Sequence, residues 1–323
     1  GGRSRPPSAP ARPAARGRGP AAPAAGPGTV NVVAADLSRT VFGRHFQNPL
    51  LLAAGTAGFG RELAGVMDLD RLGGLVTKAV SLAPRPGNRA PRVAEFRGGM
   101  LNSVGLANPG LERVRAELLP WLARHVTRAQ VLVNVVGFTI EEYAEVVAGL
   151  DEIPGIAAFE LNLSCPNTAA GGIEFGADPE SVRRIVAACR SRTRLPLSAK
   201  LSPVLPDIAG MALVARDAGA DAISVVNTLP GLLFAQSASS HRLGNGNGGV
   251  SGPVLLPVGV LAAARVVERT GGMTVIGVGG VRSADDVRQY LRVGAALVEI
   301  GTAALADPRL PERIIRDLER GDG

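Results

Sequence analysis

A closed (β/α)8 barrel, the TIM-barrel class of α/β fold, is what this chain's pattern predicts, and three observations carry the prediction. Short apolar runs rich in Val and Ile recur eight times between Pro49 and Ile300. Each is followed by a segment with helical spacing, the alternation that gives parallel strands joined by crossover helices. Aromatic residues make up only 3% of the chain against a hydrophobic content of 46%, so the core must be built from Ala, Val, Leu and Ile. That suits a parallel sheet buried on both faces. A doubly wound open sheet is the alternative, and eight successive units favour closure.

The elements follow in order. Residues 1–29 are rich in Pro, Ala, Gly and Arg. They cannot bury enough apolar surface to offset chain entropy and are expected to be a disordered tail, leaving 30–323 as the barrel. Val30–Val33 and Thr40–Phe42 are expected to pair as a short hairpin closing the bottom. Pro49–Ala54 reads as the first strand, ending in Gly55–Gly60, and Glu62–Leu69 as a helix. Gly74–Thr77 is the second strand, ending at Lys78, with a long loop over Ala79–Pro109 and a helix over Leu111–Arg124. Strand and helix alternate again over Gln130–Val135 and Ile140–Leu150, then Ile156–Leu161 and a helix to Cys189. Asp178-Pro179 supplies that helix with an N-cap and a first-turn proline. Leu197–Leu201 precedes a helix over Asp207–Ala218. Ala222–Val226 precedes a second long loop to Gly252 and a helix over Pro253–Arg269. Thr274–Val278 precedes a helix over Ser283–Val293, capped by Ser283. Leu297–Ile300 and a helix over Leu310–Leu318 complete the set.

Charge and cysteine content exclude several functions. The net charge is +7, but five Arg and no acid fall in residues 1–29, and setting those aside leaves +2. The folded part is near neutral, which gives no ground for nucleic-acid binding. Two cysteines, Cys165 and Cys189, are too few for a disulfide framework and fit a reducing compartment. No apolar run approaches the length of about 20 residues that spans a bilayer. The tail has no apolar h-region of a secretory signal. The expectation is a cytoplasmic protein without membrane contact, and no metal site is expected.

In a barrel of this class the active site lies at the C-terminal ends of the strands. The unusual polar residues of this chain fall there: Gly55-Thr56 after the first strand, Lys78 after the second, Asn134 ending the third. Asn162 and Cys165 follow the fourth, Lys200 ends the fifth, and Asn227-Thr228 the sixth. Taken singly each has an ordinary explanation: a strand-end Lys snorkels to water, an Asn closes a turn, a Cys is buried. Two Lys and several Asn converging on one rim are harder to dismiss. Gly279-Gly280 and Gly301-Thr302, after the last two strands, suit a phosphate, because glycine lets backbone N–H groups approach an anion closely. A phosphate at one end of the mouth and two Lys near its centre suit FMN, with Lys stabilising the negative charge that develops on the reduced ring.

The motifs Asn102–Gly110 (NSVGLANPG), Glu160–Asn167 (ELNLSCPN), Lys200–Pro203 (KLSP), Asn227-Thr228, Gly249–Pro253 (GVSGP) and Gly277–Gly280 (GVGG) closely resemble class 1 dihydroorotate dehydrogenase, from about Leu37 to the C-terminus. The resemblance implies an FMN barrel that oxidises dihydroorotate to orotate in pyrimidine synthesis. Cys165 would be the base at C5, with hydride leaving C6 for flavin N5. A thiol serves as a base when its pKa is brought toward the working pH. Asn102, Asn162, Asn167 and Asn227, with Thr228 and the backbone of Gly105 and Leu106, would hold the substrate. Lys78 would lie between substrate and flavin. Ala54, Gly55, Ala79, Asn134, Asn162, Lys200 and Val226 would contact the flavin, and Ser251, Gly252, Gly279, Gly280, Gly301 and Thr302 its phosphate arm. The membrane-bound class differs in having a Ser base and an N-terminal membrane helix. Gly55–Gly60, Pro84–Pro91 and Gly171–Gly176 resemble the NAD-linked type, the catalytic subunit of a heterotetramer. In that assembly a homodimer of barrels pairs with electron-transfer subunits carrying FAD and a [2Fe–2S] cluster. This chain has neither the cysteine set for a cluster nor a dinucleotide fingerprint, so NAD would be served by the partner. One stretch departs: after Asn227-Thr228 the NAD-linked type continues Gly-Met-Arg-x-Asp, whereas here Gly231–Gln236 reads GLLFAQ. His241, in the same loop, is read as a surface residue. Another FMN-barrel reductase acting on a related pyrimidine C=C bond stays open as the alternative.

Overall fold

The computed structural model describes residues 1–2, 35–163, 166–167, 173–235 and 240–321, with backbone only at Pro166, Asn167 and 173–175. The chain divides into two units, Gly1–Val33 and Ala34–Gly323. The second is a closed barrel of eight parallel strands. These are β1 (Leu50–Leu52), β2 (Gly74–Val76), β3 (Gln130–Val135), β4 (Ile156–Asn162), β5 (Leu197–Leu201), β6 (Ala222–Val225), β7 (Thr274–Val278) and β8 (Leu297–Ile300). Each pairs with its sequence neighbour, and β8 closes on β1 with Val298 opposite Leu50 and Ile300 opposite Leu52. The predicted fold class is the observed one.

Strand alternation sorts the side chains into two environments. Leu50, Leu52, Val133, Phe159, Leu161, Ala199 and Ile223 face outward and form one continuous apolar layer with the helices. Leu51, Val76, Leu132, Ala158, Ile276 and Leu297 face inward and fill the lower bore, where Val41 and Phe46 plug it from below. The plug corrects an expectation. Val30–Val33 lies outside the described residues, and the hairpin pairs Arg39–Val41 with Arg44–Phe46. Phe42 and Gly43 make its turn with φ of 56° and 67°, the left-handed pair that a two-residue hairpin needs.

Helix starts follow their caps: Asp178, Asp207 and Ser283 each accept a backbone N–H in the first turn, and Ser283 forms a full capping box with Asp286. One expectation fails. Residues 62–69 form isolated turns, such as Ala64 N–H to Gly60 O at 3.0 Å, before a short 3-10 turn at Leu69–Arg71. Gly65 sits mid-segment and weakens any helix there. The helix from Leu111 widens into a π-turn over Val114–Leu118 just ahead of Pro120, which has no N–H to continue the regular ladder.

The two long loops carry structure of their own. Val93–Phe96, Gly99–Asn102, Asn247–Ser251 and Leu229–Leu232 form a four-stranded antiparallel sheet, with Gly249 opposite Asn102 and Ser251 opposite Met100. It joins the loops that follow β2 and β6. Among the described residues no helix is long and apolar enough to cross a membrane.

Candidate active site

Above the apolar lower bore the chemistry of the interior changes. Lys200 on β5 is 5% exposed, and its Nζ lies 3.2 Å from Oε1 of Glu160 on β4 and 3.0 Å from Oε2 of Glu299 on β8. Both carboxylates are fully buried. Asn134 on β3 donates from Nδ2 to Glu160 Oε1 at 2.8 Å, and the Ser198 and Ser224 hydroxyls, 2.9 Å apart, lie on the adjoining strands. One cation between two buried carboxylates leaves an uncompensated charge, which a low-dielectric interior resists. The group that yields is Glu299: burial and the facing charge of Glu160 push its carboxyl up to about 8, against the pull of Lys200. For Glu160, burial acts upward, but the Lys200 ammonium and hydrogen bonds from Glu299, Ser224 and Asn134 override it and hold the carboxyl below its usual range. Burial would lower the Lys200 ammonium, and the two carboxylates reverse that. At neutral pH the cluster is therefore a neutral acid, a carboxylate and an ammonium. Asn134 Oδ1 and Glu299 Oε1 are buried with no hydrogen-bond partner among the described residues.

A second group of amides sits at the mouth. Asn162, in register with Lys200, accepts at Oδ1 from Asn227 Nδ2 at 3.3 Å. Asn227 Oδ1 accepts the Thr228 N–H at 2.7 Å, and the Thr228 side chain fills the space beside Gly249. Asn102 donates from Nδ2 to the Gly249 carbonyl at 3.2 Å. Contacts thus run from Lys200 through Asn162, Asn227 and Thr228 to Asn102, which the sequence separates by almost a hundred residues. Gly105 and Leu106 follow as a left-handed pair, φ 73° and 56°. Lys78, half-buried, follows β2, and its N–H bonds Gly58 O at 2.8 Å. Lys78 and Lys200 are the only lysines of the chain.

The third group is a cradle. The Thr302 hydroxyl meets the Ser251 hydroxyl at 2.8 Å, and Ser251 also donates to Met100 O at 3.3 Å. Gly301, which precedes the short helix Thr302–Ala306, lies beside Ala53 and Thr56 of the β1 end, next to Ala54 and Gly55. Gly280 packs so tightly on the helix that starts at Leu256 that an added Cβ would fall 2.3 Å from the Leu256 nitrogen. An added Cβ on Gly252, at φ 101°, would fall 2.8 Å from Gly99 Cα. Glycine backbone, two hydroxyls and helix starts gathered at the ends of β7 and β8 fit an anion.

Some predicted residues stand apart. Cys165 lies outside the described residues, as do the side chain of Asn167 and residues 171–172. The side chains of Ala79 and Val226 belong to the outer apolar layer, so they offer the mouth only backbone. His241 is exposed, and its ring is tilted by 38° against that of Phe234, centroids 5.1 Å apart. Glu299 belongs to no motif that marks it, and Glu160 is one residue of a longer motif. The signal was present, since each interrupts an otherwise apolar parallel strand.

A closed parallel barrel whose buried ions, amides and anion cradle share the C-terminal mouth defines a barrel enzyme. The chain matches the dihydroorotate dehydrogenase family over residues 36–321. A protein of Pelobacter propionicus named dihydroorotate dehydrogenase B (NAD(+)), catalytic subunit, is 45% identical over 285 residues, covering 88% of this chain and 93% of its own length. Namesakes from Desulforudis audaxviator and Geobacter sp. strain M21 are 44% and 40% identical, covering 87% and 88% of this chain and 90% and 92% of their own. The chain belongs to the dihydroorotate dehydrogenase family, a family of oxidoreductases.

Proposed function

We propose that this chain is the FMN-bearing catalytic subunit of an NAD-linked dihydroorotate dehydrogenase, oxidising (S)-dihydroorotate to orotate in pyrimidine synthesis. The observation that carries the reading is the union, on one mouth, of the Asn102–Asn227–Asn162 amides and Lys200 with the Ser251–Thr302 glycine cradle. The cradle fits the phosphate of FMN: Gly252 and Gly280 have no room for a Cβ, and its donors are backbone amides and hydroxyls. Asn134 Oδ1 and Glu299 Oε1, buried below the mouth, have no hydrogen-bond partner among the described residues and are free to meet a bound polar group.

Bound there, FMN supplies the acceptor for the hydride that leaves C6 of the substrate. The amides of Asn102, Asn162, Asn167 and Asn227 bind the flat, polar pyrimidine, each able to donate and accept. Lys200, held between the Glu160 carboxylate and the Glu299 acid, would supply the ring with a fixed positive charge, and Lys78 would supply a second at the mouth. Cys165 Sγ takes the proton from C5. NAD+ would be served by a partner subunit holding FAD and a [2Fe–2S] cluster, in a cytoplasmic heterotetramer built on a homodimer of barrels. Relatives named as catalytic subunits support such a partner.

The purified protein is expected to be yellow and to bleach under anaerobic dihydroorotate. NAD+ should restore the colour only with a co-expressed partner. A colourless protein, or a yellow one that a related pyrimidine bleaches and dihydroorotate does not, rejects the reading. Cys165→Ala should keep its flavin yet lose about 10²–10⁴-fold in reduction rate, the usual share of general-base catalysis. Undiminished reduction would remove Cys165 from the mechanism.

A further inference from the structure

Tyr290 lies on the helix Ala284–Arg292, fully buried and outside the mouth. Its hydroxyl is 3.0 Å from the Val278 carbonyl and 2.8 Å from the Gly279 carbonyl, and its proton is shared between them. The slot it occupies is made of missing side chains. A Cβ on Gly277 would fall 2.2 Å from the Tyr290 ring, and one on Gly259 would fall 1.9 Å from the hydroxyl oxygen. A helix prefers Ala to Gly, so Gly259 in the interior of Leu256–Thr270 is a concession to this contact.

The consequence follows from peptide geometry. A trans peptide is planar, so the carbonyl of one residue and the N–H of the next point in opposite directions. Fixing the Val278 and Gly279 carbonyls on Tyr290 therefore aims the Gly279 and Gly280 N–H groups away from it. These two amides are among the backbone donors assigned to the cradle. Glycine is the residue whose peptide units turn most freely, and this pair sits at φ of 120° and 80°. A lock on their orientation matters most at such a place.

We infer that Tyr290 is a positioning residue of the phosphate cradle: its hydroxyl, by holding two carbonyls from behind, presents the Gly279 and Gly280 amides to the anion. The inference rests on the proposed binding of FMN at this cradle. It asks for no contact between Tyr290 and the ligand, and so predicts an effect confined to the phosphate.

The test compares FMN with riboflavin, which has no phosphate, by titrating the flavin-free full chain and following flavin fluorescence. The wild type is expected to prefer FMN. Tyr290→Phe removes one oxygen and nothing else, and should weaken FMN binding about tenfold, the worth of one well-placed hydrogen bond, while riboflavin binding changes less than twofold. Gly259→Ala would bring a Cβ within 1.9 Å of the hydroxyl and 2.8 Å of the Val278 carbonyl oxygen, and so presses on both partners of the same contact. It should reproduce the selective loss. If both variants keep the full wild-type preference for FMN, or if riboflavin weakens as much as FMN, the positioning role is wrong and Tyr290 is packing alone. If the wild type itself binds the two flavins equally, the cradle holds no phosphate, and the functional reading falls together with this inference.

Discussion

The lower and upper halves of the bore are made by the same strands, two residues apart. Stepping up β3 turns Leu132 into Asn134, up β4 turns Ala158 into Glu160, and up β8 turns Leu297 into Glu299. Backbone and pairing do not change across that step, but the environment does. The lower half is apolar and plugged by Val41 and Phe46, while the upper half holds an ammonium, two carboxyl groups, an amide and two hydroxyls. The contrast assigns tasks. The lower bore and the outer layer supply burial, the main favourable term in folding. The upper bore holds buried polar groups that add little net stability and make sense only as a site.

The largest break in that contrast is Lys200→Met. It strands Glu160 and Glu299 without their cation, and losing one partner of a buried ionic group costs about 3–5 kcal/mol. Urea unfolding of the flavin-free protein should show that loss, and flavin titration should show weakened binding as well. Lys200→Arg should not rescue either property, because a planar fork of five donors cannot replace a compact ammonium in the same space. Unchanged stability in Lys200→Met would mean that the cluster is not a charged network.

Phe46→Ala makes the complementary change at the other end. Truncating a fully buried aromatic in the plug should cost about 3 kcal/mol through lost burial and the cavity left behind. Flavin affinity should stay within about twofold, since no polar group of the upper bore is disturbed. A loss of flavin as large as that in Lys200→Met would show that the two halves are not separable.

How much of this could be read from the chain alone differs between the halves in the same way. The barrel was legible because eight apolar runs alternate with helical spacing, and their ends pointed to Lys78, Asn134, Asn162, Lys200 and Asn227. The sheet over the mouth was not. Its strands, such as Gly99–Asn102 and Asn247–Ser251, are rich in Gly and Asn, which carry loop propensity, and long-range pairing overrides it. The 62–69 segment shows the reverse: Leu63, Met67 and Leu69 pack on the core, but a composition interrupted by Gly65 gives only turns. Glu160 and Glu299 were visible as charges in apolar strands, but their meeting on Lys200 depends on barrel closure. The choice of lysine was a clue too: in a chain with 35 Lys and Arg residues, the only two lysines both stand at the mouth. Tyr290 gave no signal, because its role is set by absent side chains at Gly259 and Gly277.

The finest discrimination between the halves is a proton. Glu299 faces Glu160 and Lys200 across the bore, with Asn134, Ser198 and Ser224 around them, and its carboxyl stands at about 8 against an ordinary 4.5. Below 4.5 it is protonated in both folded and unfolded chains and contributes nothing to pH dependence. Between 4.5 and about 8 the unfolded chain releases this proton and the folded chain keeps it. Stability should fall there as pH rises, by at most about 1.4 kcal/mol per pH unit, and level off above. Glu160, held low, acts with the opposite sign and outside that window, losing its contribution as pH falls below 4.5. Glu299→Gln replaces the neutral acid by a neutral amide of the same shape and cannot ionise. Urea unfolding of the flavin-free variant and wild type should therefore agree near pH 5 and diverge steadily toward pH 8, with the variant the more stable. Because every other titrating group is common to both chains, the difference isolates Glu299. Parallel curves would mean that Glu299 is ionised throughout, and that the upper bore holds two negative charges on a single lysine.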